Sequence, residues 1–262
     1  MPGSPIYYKY YNGGYAVAIV NERYEFQYFD EYAMKFLADM VNQGKLLRNK
    51  KHKDIDEDSI EKLELSTNNF GPLDIEYLMG FDLKNLKILN LSCNPLKAKG
   101  AFYLSQGKLS CLEVLALNAC EIGNEGLNYI AIGSFFKLRD LHLFHNYISY
   151  EGIKYLVKAD FVKKLVFLSL SENKGIGNLG IQLITECKKW SKLNTLKLNE
   201  TGLTNEALKY FSAISMLELR NLFILENEFE FNEDAKTIIN GLRMNHIAVV
   251  VKLKKKKKRE KK

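Results

Sequence analysis

The chain is poor in the residue patterns that announce chemistry. Its 262 residues contain no H-E-x-x-H, G-x-S-x-G or P-loop, so zinc hydrolysis, serine acyl transfer and nucleotide hydrolysis lack their usual spacings. Cysteine is scarce as well: Cys93, Cys111, Cys120 and Cys187 are the only four. None forms a C-x-x-C pair, which excludes the common zinc-knuckle and thioredoxin-like spacings. Four in a chain this long do not build a disulfide scaffold. They are expected to be reduced thiols, mostly small buried hydrophobes. No apolar run approaches the roughly 18 residues of a membrane span. The opening MPGSPIYYKYYNGGY has no basic segment followed by an apolar one, so an intracellular protein, cytoplasmic or nuclear, is expected rather than a secreted one.

What is present is ordinary in bulk and unusual in distribution. A hydrophobic content of 47% and a charged content of 26% belong to a soluble globular chain. The net charge of +7 is a local property, because residues 252–262 (KLKKKKKREKK) hold nine Lys/Arg and one Glu. The other residues hold 29 basic and 30 acidic groups. The body is therefore neutral and the basicity is a tail, which argues against a nucleic-acid binder charged over its whole surface.

Internal repetition decides the fold. The template L-x-x-L-x-L-x-x-N begins at residues 60, 86, 112, 138, 165, 193 and 219, with separations of 26, 26, 26, 27, 28 and 26. The middle copies show the pattern clearly: Leu86, Leu89, Leu91, Asn94; Leu138, Leu141, Leu143, Asn146; Leu165, Leu168, Leu170, Asn173. Cys120 and Thr201 take the asparagine position in two copies. The second half of each unit repeats too, as in Ile122–Ile130 (IGNEGLNYI) and Ile148–Leu156 (ISYEGIKYL). There a small residue precedes apolar positions at helical spacing, with Ser149, Asn178 and Thr204 as expected N-caps. Each unit thus reads as a short strand, a turn and a helix. Neither element buries its apolar face alone, so the units must stack around a shared core. The ninth-position side chains are placed to donate hydrogen bonds to neighbouring turns as an internal ladder.

This combination resembles the leucine-rich-repeat proteins of ribonuclease-inhibitor type, over about residues 60–251. The resemblance implies an α/β solenoid of about seven repeats, with a curved parallel sheet on the concave side and helices on the convex side. It also implies an interaction scaffold rather than an enzyme, with a protein partner and with no cofactor, metal or small-molecule substrate. Ran GTPase-activating proteins share this fold but are acidic at the C-terminus, where this chain is basic. F-box adaptors would need a helical, Leu-Pro-bearing module upstream, and residues 1–59 contain only Pro2 and Pro5. A subunit of a ribonucleoprotein or other large assembly fits the charge segregation, and a bacterial effector is neither supported nor excluded.

Three parts are expected: a cap region over 1–59, the solenoid over 60–251 and the polybasic tail over 252–262. In the first part, Tyr15–Val20 and Tyr24–Phe29 read as strands, followed by a helix from Asp30 bearing Met34, Leu37 and Val41. Residues 45–59 read as a charged connection. The cap is crowded with tyrosine, which suits packing on the first repeat or docking a partner. At the other end, Asn232 is expected to cap a helix bearing Ala235, Ile238, Ile239 and Leu242, before a closing strand in Ile247–Val251.

The non-leucine positions of each strand project from the concave face. Around the fourth and fifth repeats they gather Asp140, His142, Phe144, His145 and Phe167, with Phe223 further along and Glu172, Glu200 and Glu226 forming an acidic edge. Aromatic anchors with a polar rim suit a protein-binding patch. Asp140, His142, His145 and Glu172 could also be weighed as a metal or catalytic set, but an open sheet offers them no enclosing pocket. In the tail, Lys254, Lys255, Lys256, Lys257, Lys258 and Arg259 would attract any polyanion: nucleic-acid phosphate, an acidic lipid leaflet or an import receptor. A merely solubilising tail is the alternative.

Overall fold

A computed structural model describes residues 6–9, 15–20, 24–27, 61–81, 83–212, 216–230 and 232–252, the first three segments as backbone only. One eleven-stranded sheet runs through the described residues in sequence order. Strands β1 (Ile6–Lys9), β2 (Tyr15–Val20) and β3 (Tyr24–Gln27) are antiparallel neighbours. The pairing of β3 with β4 (Lys62–Glu64) is parallel. From there every strand is parallel to the next: β5 (Ile88–Asn90), β6 (Val114–Ala116), β7 (Asp140–His142), β8 (Phe167–Ser169), β9 (Thr195–Lys197), β10 (Asn221–Phe223) and β11 (Ala248–Val250). The expected N-terminal strands are present and β1 is an addition. The expected helix from Asp30 and the connection over 45–59 lie outside the described residues.

Helices alternate with these strands: α1 (Pro72–Leu78), α2 (Lys97–Gln106), α3 (Gly123–Ile132), α4 (Tyr150–Leu156), α5 (Gly177–Glu186), α6 (Asn205–Ser212) and α7 (Glu233–Met244). A 3-10 turn, Asp160–Lys164, takes up the added length of the fourth repeat. The core lies between the two layers. Leu89, Leu115, Leu141, Leu168, Leu196 and Leu222 from the strand centres are fully buried against Ile130, Ile153, Ile184 and Phe211 from the helices. Each such side chain contributes about 1.5–3 kcal/mol. The period carries the core from one repeat to the next without a break.

Neighbouring helices approach closely because small residues face one another. A Cβ placed on Gly126 of α3 would stand 2.7 Å from Ile122 Cβ and 3.3 Å from both Ala101 Cβ and Ala98 Cα of α2. Glycine here is a packing requirement.

The ninth-position ladder forms as expected. Asn146 Nδ2 donates to the carbonyls of Leu117 (2.6 Å) and Phe144 (3.1 Å), while its Oδ1 accepts from the amides of Cys120 (3.1 Å) and Ile122 (3.3 Å). Asn94, Asn173 and Asn227 repeat this arrangement. The substitutes do less: Cys120 Sγ lies 3.2 Å from the Leu91 carbonyl, and Thr201 Oγ1 donates only within its own repeat, to Leu198. The turn preceding each ladder residue is left-handed at Thr67, Cys93, Ala119, His145, Glu172, Glu200 and Glu226, with φ between 51° and 61°. None of these is glycine, so the turn is held against a cost of about 1–2 kcal/mol each.

Two details depart from the sequence reading, the place of Asn178 and the burial of the thiols. Ser149 and Thr204 accept from the amides two residues on and so act as caps. Asn178, instead, lies inside α5 and reaches the next repeat, where its Oδ1 accepts from Thr204 N at 3.0 Å. Among the four free thiols only Cys120 is buried; Cys93 is exposed and Cys111 and Cys187 are half-exposed. At the far end, Asn232 Oδ1 caps α7 by accepting from Ala235 N at 2.7 Å, and β11 closes the sheet as expected.

Candidate partner-binding site

Strand alternation sends the central leucine of each strand inward and its two neighbours to the open face. Parallel register then lines up His142, Ser169, Lys197 and Phe223 across four strands, with Asp140, Phe167, Thr195 and Asn221 beside them. The His142 ring stacks on Phe167, with centroids 4.6 Å apart and planes 28° from parallel. Lys197 Nζ lies 5.3 Å from the centre of Phe167 and 5.4 Å from that of Phe223. One ammonium thus bridges two rings, a cation–π arrangement. These side chains are half-buried, and Ser169 is covered beneath them. Lys197 was not singled out from the sequence. Its signal was its place between Phe167 and Phe223 in strand register.

Electrostatics distinguish the two ionisable groups of this stripe. Burial lowers the His142 pKa; Asp140 beside it pulls upward and Lys197 adds to the lowering. Burial raises the Asp140 carboxyl, with His142 and Arg139 opposing.

A second group forms where the strands end. His145 Nδ1 lies 3.1 Å from Glu172 Oε2, and its ring stands 6.1 Å from Phe144 and 5.6 Å from Tyr147, which is 68% exposed. The glutamates of the expected acidic edge each have a basic neighbour: Glu172 has His145, Glu200 has Lys174 at 3.9 Å and Glu226 has Lys252 at 3.1 Å. The edge is therefore partly neutralised.

The column holding Phe144, position seven of each repeat, carries a ladder that sequence reading took for a free surface. Ser92 Oγ accepts from Asn118 N, Asn118 Oδ1 from Phe144 N, Ser171 Oγ from Asn199 N and Asn199 Oδ1 from Leu225 N, all within 2.8–3.2 Å. Phe144 interrupts this series, since phenylalanine has no acceptor to offer the next amide. An apolar side chain has replaced a structural one in mid-sheet.

A leucine-rich-repeat family model matches residues 82–105, 108–131 and 136–157. Those three segments are leucine-rich repeats, and the same strand–helix alternation continues through the described residues to β11. Among solved structures, this repeat chain is similar to an internalin from Listeria monocytogenes, at 14% identity over 84% of this chain and 95% of that one, with a TM-score of 0.28. Among curated proteins, none matches it.

In this leucine-rich-repeat sheet, no group of three or more His, Cys, Asp or Glu among the described residues is placed to hold a metal ion. No helix among them is long and apolar enough to cross a membrane. Cys120 is the deeply buried thiol, and burial pushes its pKa up to about 12, so it persists as the unreactive thiol. Lys254 to Arg259 lie outside the described residues.

Proposed function

We propose that the leucine-rich-repeat sheet is a non-catalytic contact surface for a protein partner, seated over His142, Phe144, Phe167, Lys197 and Phe223. The observation that carries this reading is the pairing of a half-buried aromatic–cation stripe with the lone phenylalanine that breaks the position-seven ladder. Neither is needed to close the core beneath. Aromatic residues in a desolvated centre are what partners most often use as anchors, with charged groups such as His145, Glu172 and Glu200 around them. We further assign the ribonuclease-inhibitor subtype, on the alternation of a strand and a full helix in every repeat, and a cytoplasmic or nuclear setting. The chain divides functionally into a cap over 1–59, the repeats over 60–251 and a tail over 252–262 that tethers the protein to a polyanion.

The test is affinity purification with quantitative mass spectrometry, comparing the native chain with one in which Lys254–Lys258 and Arg259 are glutamine. Both are run with and without nuclease. Partners that survive loss of these six tail cations and nuclease support the repeat body as the binding module. If all are lost under either treatment, the polyanion contact is primary and the alternative, an RNA-contacting assembly subunit, replaces it.

A further inference from the structure

The neutral charge of the body conceals a polarised edge. Three loops lead from the helices back into β7, β8 and β9, spanning residues 133–139, 157–166 and 187–194. Together they carry Lys137, Arg139, Lys158, Lys163, Lys164, Lys188, Lys189 and Lys192 against one acidic residue, Asp160. All eight cations are exposed, and among the described residues none of them is in an ion pair. Glutamates collect at the opposite strand ends, where Glu172, Glu200 and Glu226 each find a basic neighbour. Unpaired like charges this close repel one another, so a fold that gathers them leaves them poised for an anion.

Their arrangement is linear and partly fixed. An open depression of about 400 Å³ is lined by Glu113, Lys137, Arg139, Lys164, Val166 and Lys192. A second, of about 450 Å³, shares Val166 and Lys192 and extends to Glu218. The two make one shallow groove across consecutive repeats. Lys137, Lys164 and Lys192 each immediately precede a repeat's first leucine, so they recur at the solenoid pitch. Lys164 Nζ donates to the Phe136 carbonyl at 2.6 Å, tying one loop to the next. Phe136 itself is 60% exposed beside these cations.

We infer that this edge binds single-stranded nucleic acid, its phosphates along Lys137, Arg139, Lys164 and Lys192 and a base on the Phe136 ring. A cationic track with an exposed aromatic is the arrangement that holds an unpaired strand, because phosphate supplies charge and every base has a face to stack. An acidic protein segment would use the charge and leave the ring unexplained. The site is separate from the aromatic stripe of the open face and does not depend on it.

The test uses the full chain with Lys254–Lys258 and Arg259 changed to glutamine, which removes six of the tail's nine cations. Binding of a fluorescein-labelled oligouridylate is followed by anisotropy across salt concentrations, with oligothymidylate run beside it to tell ribose from deoxyribose. Adding Lys137→Gln, Arg139→Gln, Lys164→Gln and Lys192→Gln is expected to flatten the log–log salt slope by about 3, at roughly 0.7 for each phosphate contact of a single strand. Phe136→Ala alone is expected to weaken binding about fivefold or more while leaving the slope in place. In the native chain, photocrosslinks from thiouridine are expected at loop 133–139. The inference is overturned by an unchanged slope in the edge variant, by crosslinks confined to the tail, or by polyglutamate or anionic vesicles competing as well as unlabelled oligouridylate.

Discussion

The interior of the solenoid and its open sheet face are built from alternate residues of the same strands, yet they follow opposite rules. Inside, leucine recurs at nearly every centre and asparagine at five of the seven ladder positions, all at or near complete burial. Outside, the middle column runs Glu64, Asn90, Ala116, His142, Ser169, Lys197, Phe223 with no repetition. A side chain that must meet its own copy one repeat away is constrained to one chemistry. A side chain facing outward is constrained only by what it meets there. Periodicity therefore marks what holds the fold, and departure from it marks what the fold presents.

The sharpest way to break the inner rule is Asn146→Ala. It strips two carbonyls and two amides of their partners in the middle of the core, at about 1–3 kcal/mol for each group left unsatisfied. Partial relaxation should hold the loss to about 3–5 kcal/mol, read as a lowered denaturant midpoint. Gly126→Val attacks the helix layer instead. Its methyls would enter space held by Ile122 and Ala101, costing about 2–3 kcal/mol, and its thermal midpoint should fall accordingly. Cys120→Asn works in the other direction, restoring the ladder residue at a position where the thiol makes only weak contacts. A gain of about 1 kcal/mol is expected in chemical unfolding, and a loss would show that the surrounding turn has adapted to sulfur.

The smallest effect concerns pH. The pKa of His142 is lowered in the folded chain, so the unfolded chain binds its proton first as pH falls. Its contribution to stability is full above about pH 6.5 and declines below that value, down through the lower folded pKa. Asp140, whose folded pKa is raised, acts oppositely: its contribution is full at low pH and is lost as pH rises through the folded value. His142→Gln should flatten the decline below about pH 6.5, measured as melting temperature against pH; an unaltered profile would remove His142 from the account.

Much of this was legible in the sequence, for one physical reason. The leucine frame, the ninth-position ladder and the Asn232 cap depend on spacing along the chain, and spacing is what a sequence displays. The position-seven ladder was not legible, because Ser92, Asn118, Ser171 and Asn199 are small polar residues that look the same whether they face solvent or a backbone amide. Asn178 was misread for a similar reason: its bond crosses to Thr204 in the next repeat rather than back to its own helix. The basic edge was hidden by arithmetic. Lys137, Lys164 and Lys192 lie 27 and 28 residues apart, and a total over the body cancels them against glutamates on the other side. The aromatic stripe was half legible: the columns named His142, Phe167 and Phe223, and only the register showed Lys197 spanning the rings.

The central claim is that the aperiodic open face, and not the periodic interior, carries partner binding. It is tested most directly by a full chain bearing Phe144→Ser and Phe167→Ser, compared with the native chain in nuclease-treated affinity capture after both are matched for melting temperature. The account predicts that the partners captured by the native chain are lost while the melting temperature changes little. Retention of the same partners at the same yield would contradict it and move the contact elsewhere on the solenoid.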